Sequence, residues 1–337
     1  MLAGRNAKHH GSWLSRSRPG FGWFVLVPGL AAAVALVSLG AAPWEGPAGR
    51  APAFPAALAV QVDPEAPGYT QPADAIELDG SIFVLDTGNN RILVQDVEGR
   101  VDRTIDGSGD GQPALKGPMA IATAGGLLYV ANSGASQVLV METTGRLVKT
   151  IDLVADGADG AQPRPVGLAV APDGSLWVSD PEANRILQYG AEGQLLRSVG
   201  GERAGGADGF NAPTGITVDA SGSVYVVDTL NSRLVKLSPE GNFQKQFGRP
   251  GDTAGTFSRP KDVAVDGRGN VYASDGLLAA VQVFSADGKF LGFIGRSDPD
   301  DRGSDSLFKA PAGLSVAGER LYVVDRFAGL FIFDLNR

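Results

Sequence analysis

Six prolines, at positions 72, 118, 165, 213, 260 and 311, recur every 46 to 51 residues, and each opens a similar stretch of chain. A period of this length marks a repeat architecture, in which each copy is one supersecondary unit that buries its apolar face only against its neighbours. The third copy, Pro165 to Gly200, reads PVGLAVAPDGSLWVSDPEANRILQYGAEGQLLRSVG. The fourth, Pro213 to Gly248, reads PTGITVDASGSVYVVDTLNSRLVKLSPEGNFQKQFG, and the fifth, Pro260 to Gly295, PKDVAVDGRGNVYASDGLLAAVQVFSADGKFLGFIG. The sixth copy is cut short by the end of the chain.

Within a copy, short runs of alternating or β-branched residues are separated by turn pairs such as Asp173-Gly174, Ser221-Gly222, Glu192-Gly193, Glu240-Gly241 and Asp287-Gly288, which ask for hairpins. Glycine, 47 of 337 residues and about twice its usual share, fits a chain with many tight turns. Each copy therefore predicts four antiparallel strands. The first uses small residues (Gly167 to Val170, Gly215 to Val218), as strands converging on a central channel require. The second (Leu176 to Asp180, Val224 to Asp228) carries aromatics that fill the space between sheets. Six such sheets around an axis make an all-β, six-bladed β-propeller. The last blade lacks its outer strand, because the chain stops just after Leu330 to Phe333. The run Ala57 to Val62 is expected to supply it and close the ring.

From residue 72 to 337, about four fifths of the chain, the sequence resembles the NHL-repeat proteins. The resemblance rests on the Pro-x-Gly opening (Pro165, Gly167; Pro213, Gly215; Pro311, Gly313), on the aromatic-Val-x-Asp end of the second strand, and on Asn and Arg in the turn that follows. The turn residues are Asp86, Asn90 and Arg91; Asp180, Asn184 and Arg185; Asp228, Asn231 and Arg233. Copies two, five and six depart from it: Asn132 replaces Asp, and Gln137, Ala280 and Leu330 stand where Arg stands elsewhere. The resemblance implies a six-bladed propeller whose relatives bind proteins, RNA or small ligands, some of its cousins being enzymes. Fold alone does not choose among these.

Ahead of the propeller, residues 1–20 form a basic leader with Arg5, Lys8, Arg16 and Arg18 and no acid. Residues 21–44 carry no charge at all. Twenty-four residues at ~1.5 Å each reach ~36 Å, enough for one helix to cross a ~30 Å hydrocarbon core. Basic residues on its N-terminal side keep that end cytoplasmic and place the rest outside, in the periplasm or the extracellular space. Two outcomes are open for this span. Leu30 to Leu39 followed by Gly40, Ala41 and Ala42 would suit signal cleavage and secretion, whereas Trp13, Trp23 and Trp44 flank it as the interfacial aromatics of a retained anchor do. Residues 45–55, EGPAGRAPAFP, read as a spacer before a propeller over 56–337.

Composition narrows the chemistry. There is no cysteine, and the only histidines, His9 and His10, lie in the leader. Thiolate and imidazole chemistry is thereby removed from the propeller, including Ser-His-Asp triads and histidine-held zinc. Taking the leader's four basic residues from the chain's 29 leaves 25 against 37 acids, a balance that repels nucleic acid.

The strand-end residues Asp86, Asn132, Asp180, Asp228, Asp275 and Asp325 read as structural: each can accept backbone N–H bonds of a turn, with Arg91, Arg185 and Arg233 as ion-pair partners. No cofactor is expected, with calcium as the alternative. Its weak candidates are the linker acids Asp106, Asp110, Asp298, Asp300 and Asp301, none of which sits in an EF-hand pattern. Copies five and six replace the polar turn by apolar residues, so Leu277, Leu278, Arg326 and Phe327 are expected to form a partner-binding patch.

The leading expectation is a membrane-tethered, non-catalytic propeller that binds an unidentified protein partner, as an accessory subunit of a membrane complex. Lyases and paraoxonase-like hydrolases of this propeller class lean on histidines that residues 56–337 do not have. An enzyme here would instead need a calcium lactonase-like site of Asp, Glu and Asn. Asp262, in the glycine position of Pro260-Lys261-Asp262, is the polar oddity that such a site would use. A sensor of a small envelope ligand is the third reading.

Overall fold

The computed structural model describes residues 53–65, 67–154, 162–206, 209–296 and 306–335. The leader, the apolar span 21–44 and most of the spacer lie outside the described residues, as do Asp298, Asp300 and Asp301. Among the described residues no helix is long and apolar enough to cross a membrane.

Twenty-four strands of the described residues form six four-stranded antiparallel sheets. Their innermost strands are Asp74–Leu78, Pro118–Ala124, Gly167–Val170, Pro213–Val218, Pro260–Val265 and Pro311–Ala317, in blades one to six. Each inner strand packs on those of the two blades beside it, and blade six lies between blades five and one. The chain is a six-bladed β-propeller. Its outer edge in blade six is covered by Ala57–Val62, which pairs antiparallel with Gly329–Asp334 from Ala57 opposite Asp334 to Val62 opposite Leu330.

The sequence pattern explains this packing. Small residues open the inner strands because there is no room for more: a Cβ at Gly167 would lie 2.2 Å from the Thr214 carbonyl of the next blade. The second strands bring Phe83, Trp177, Tyr225, Tyr272 and Tyr322 between the sheets, all nearly or fully buried. Burying a side chain of that size stabilises the fold by roughly 2 to 3 kcal/mol each. Just ahead of the closing strand, Phe54 donates its N–H to the Phe293 carbonyl (2.8 Å) and sets its ring edge-on against Tyr272, at 5.9 Å between centroids. The incoming chain is thus fastened to blade five before it completes blade six.

Register corrects one detail of the repeat alignment. In blade five Ala280 pairs with Asp275, as Arg91 pairs with Asp86 in blade one, but in blade six it is Gly329 that pairs with Asp325. The turn is one residue shorter there, and Gly329, at φ 91°, takes the position that Leu330 was expected to fill. A Cβ at Gly329 would meet the Val62 carbonyl of the closing strand at 2.1 Å, so only glycine fits.

Deleting residues 56–63 removes the strand that closes the ring. The melting temperature should fall by at least about 10 °C, measured by calorimetry on the full chain. An unchanged melting curve would show that the seam does not hold the ring.

Candidate functional site

The strand-end residues lie at one face of the propeller, where each ties a turn to the linker that leads into its blade. Asp86 accepts the Thr70 N–H on Oδ1 (2.6 Å) and takes Asn89 Nδ2 and Arg91 Nε on Oδ2 (2.8 and 2.7 Å). Asp228 repeats the set with Asn211 N–H, Asn231 and Arg233, and Asp180 with Arg164 N–H and Arg185. Asn132 accepts the Lys116 N–H at 2.6 Å and donates to the Ala114 carbonyl, while Gln137 reaches away to Asp152. Without an arginine, Asp275 and Asp325 use backbone alone: Asp275 accepts Leu277 and Leu278 N–H on Oδ1 and Ser258 N–H on Oδ2, and Asp325 does the same with Phe327, Ala328, Lys309 and Ala310. These carboxylates are occupied within the protein.

Two other carboxylates face the central channel, a cavity of about 640 Å³ lined by all six inner strands. Asp262 of blade five accepts the Val263 N–H on Oδ1 (2.8 Å) and, across the blade junction, the Leu314 N–H of blade six on Oδ2 (2.7 Å). Asp74 of blade one does the same with Ala75 N–H (2.8 Å) and the Ile121 N–H of blade two (3.0 Å). Glycines on the preceding blades make room for both. A Cβ at Gly215 would lie 2.2 Å from Asp262 Oδ1, and one at Gly313 would lie 2.8 Å from Asp74 Oδ1. Blade six therefore sits between two acids, with Gly313 against one and the Leu314 N–H bonded to the other.

Burial pushes Asp262 up to about 7, against the pull of the Leu314 and Val263 N–H groups. Burial first, and the nearby Asp262 charge second, hold Asp74 well above the usual carboxylate range. Asp262 is partly open to the channel, whereas Asp74 is only 8% exposed. The charge of Asp262 opposes ionisation of Asp74, so the two acids titrate as a pair.

At the mouth of the channel stand Arg259, Lys261 and Arg326, from the start of blade five and the turn of blade six. Both guanidinium groups are exposed, and none of the three side chains has a hydrogen-bond or ion-pair partner among the described residues. The Lys261 stem lies over Gly276 of the blade-five turn, close to the junction with blade six. Burial, then the charges of Arg259 and Arg326, push Lys261 below the usual lysine range, with Asp275 acting the other way. Outside this group are Leu277 and Phe327, 67% and 59% exposed.

Leu278 does not belong with them. It is 7% exposed and packs in the core with Phe257 and Ala280, because the turn held by Asp275 sends successive side chains in opposite directions. In its place blade four contributes Leu230, 58% exposed, two residues after its strand-end Asp just as Leu277 and Phe327 are. The linker acid Asp106 spends its Oδ1 on Ser108 N–H and Oγ, and Asp110 is exposed. Among the described residues no three Asp, Glu, His or Cys side chains gather to hold a metal ion.

The sequence reading found Asp262 but not Asp74, although Pro72-Ala73-Asp74 carries the acid at the same place as Pro260-Lys261-Asp262. Aligning all six openings by their third residue gives Asp, Ala, Gly, Gly, Asp, Gly, which would have shown the pair. Arg259 and Lys261 left no comparable mark in the sequence.

Comparison with known proteins places the fold. Residues 210–237, across the opening strands of blade four, match the family model of the NHL repeat. The chain is similar to a solved structure of a streptogramin B lyase, with a TM-score of 0.58 and 13% identity over 82% of this chain and 97% of that one. A gluconolactonase of Xanthomonas campestris gives 0.59 and 17% over 86% and 97%, and a luciferin-regenerating enzyme 0.56 and 12% over 79% and 92%. At these identities the likeness is one of fold. No curated protein matches the chain.

The acid pair makes stability depend on pH. An unfolded Asp titrates near 3.9, so a native Asp262 at about 7 holds its proton more tightly when folded. The stabilisation is complete below about pH 4 and is lost as pH rises through 7, with a ceiling of about 4 kcal/mol that the partial exposure of Asp262 reduces. Asp262→Asn loses one N–H bond but cannot ionise. The variant should melt below the parent at pH 5, and the gap should narrow by pH 8. Parallel melting temperatures across that range would show that Asp262 titrates normally.

Proposed function

We propose that this protein is a non-catalytic propeller, held at the outer face of a membrane by residues 21–44, that receives a protein partner on its channel-mouth face. The observation that carries this reading is the arc of Leu230, Leu277 and Phe327, large apolar side chains left exposed at the same turn position in three consecutive blades. Blades one to three carry Gly88, Gly134 and Glu182 at that position. Grouped exposed apolar residues with a charged border are what a partner surface requires. The uncharged span with its flanking tryptophans supports the tether, and the acidic balance of the propeller supports a partner that is not nucleic acid.

Purification of the full chain from its native membrane in mild detergent should yield a complex with residues 1–44 retained, read by native sizing and intact mass. The combined variant Leu230→Ser, Leu277→Ser and Phe327→Ser should lose at least about tenfold of the co-eluting partner while its melting temperature stays within a few degrees, since the three side chains lie outside the core. A lone, leader-cleaved species of roughly 30 kDa would overturn the reading.

A second reading is favoured by the channel pair. Two carboxylates that differ in proton affinity can act as base and acid, Asp262 ionised and Asp74 protonated, and similar propellers are described as a lyase and a gluconolactonase. Hydrolysis of aldonolactones in the presence of calcium, abolished by Asp262→Asn, would establish it. Activity equal in the parent and the variant would end the role of the pair.

A further inference from the structure

The three unpaired cations of the channel mouth are not explained by partner docking on the apolar rim. In a chain of net charge −8, Arg259, Lys261 and Arg326 come together without a carboxylate partner among the described residues. Asp275, the described acid whose charge acts on Lys261, has both oxygens engaged by backbone N–H groups of Ser258, Arg259, Leu277 and Leu278. Like charges held near one another raise the free energy of the empty site, and an anion bound among them recovers it. The Lys261 stem passes over Gly276, which puts its ammonium near both guanidinium groups, and their charges act on it.

Below the mouth the lining changes. Asp74 and Asp262 come next along the inner strands, and beyond them Ile76, Val170, Val218, Val265 and Val316 line the cavity together with the hydroxyl residues Thr123, Thr217 and Ser315. Each acid uses both oxygens to accept backbone N–H groups, but a carboxyl oxygen has a second lone pair, and the protonated form also donates. A second negative charge carried past the mouth would meet these two acids. An apolar body would meet a matching wall.

From this order of groups we infer that the channel is a binding site for a small monoanionic amphiphile, a carboxylate with an apolar body, seated with its anionic head on Arg259, Lys261 and Arg326 and its body in the channel. An acid with a second carboxylate at the far end of its body is disfavoured by the carboxyl pair, and a cation by the mouth. The cavity of about 640 Å³ is of the size that encloses such molecules. This site does not depend on the apolar rim having a protein partner.

The test is a calorimetric titration of the full chain in lipid nanodiscs with four related probes: 3-phenylpropionate, 3-phenylpropanol, 3-phenylpropylamine and 3-(4-carboxyphenyl)propionate, whose second carboxylate lies at the far end of the body. The monoanion should bind at least about tenfold more tightly than the other three. Lys261→Met and Arg326→Gln should each weaken it by about tenfold, with Lys261→Arg restoring most of the loss. The probe should also protect Lys261 of the unaltered protein from acetylation by acetic anhydride, read by peptide mass, a result that no variant's folding can affect. Equal affinity for the acid and the amine, unchanged affinity in both variants, no protection of Lys261, or no binding of the monoanion up to about 10 mM would each overturn the assignment. Loss of membrane partners in the rim variant with 3-phenylpropionate binding intact would separate this site from the partner surface.

Discussion

The seam between Ala57–Val62 and Gly329–Asp334 is the contact on which the rest of the ring depends. Every other sheet is built from strands adjacent in sequence, whereas blade six joins the first strand of the described chain to the last. Val62 enters a shared core with Leu330 and Ile332 of its own blade and Ala75, Ile82 and Val84 of blade one. Closure therefore does more than cover an edge. It sets blade one against blade six, and that juxtaposition puts Asp74 beside Gly313 while Leu314 is bonded to Asp262. The acid pair of the channel is a product of closure, since its members come from opposite ends of the chain.

What could be read from the sequence, and what could not, follows from the range of the interactions. The repeat, the strands and the missing outer strand were legible, because hairpins are set by turn residues a few positions apart and an absent strand leaves a countable gap. The strand-end carboxylates were legible for the same reason: Asp86, Asp228 and Asp275 bind N–H groups within 17 residues of themselves. Leu278 was misread because a turn of four residues has no fixed period from which inside and outside can be told. The register of Gly329 was misread because only pairing across the hairpin reveals a turn shortened by one residue. Arg259 and Lys261 carry no pattern at all. Their significance lies in Arg326 of the next blade coming to the same mouth, and ring geometry rather than spacing decides that.

The channel sorts charge along its axis in a way that the net charge of the chain conceals. Cations stand at the mouth, carboxyls below them, and uncharged side chains, aliphatic and hydroxyl, beyond. The carboxyls are held by backbone N–H groups of the neighbouring blades, so they serve the ring as cross-links whether or not anything enters the channel. The cations have no such structural use. Arg91, Arg185 and Arg233 in blades one, three and four lie against strand-end acids, whereas blades five and six have no arginine at that place and leave their acids to the backbone. Arg259 and Arg326 are thus free of the pairing that occupies the repeat's other arginines.

This exchange within the repeat links the two faces of the functional argument. In blades one and three, where arginine pairs with the strand-end Asp, the turn carries Gly88 and Glu182, whereas blade four keeps the Arg233 pair and still exposes Leu230. In blades five and six the Asp is satisfied by the turn's own N–H groups, which draws the turn tight and exposes Leu277 and Phe327 at its tip. Leu277 and Phe327 line the same cavity as Arg259, Lys261 and Arg326, so the apolar rim of blades five and six borders cations that have no carboxylate partner among the described residues.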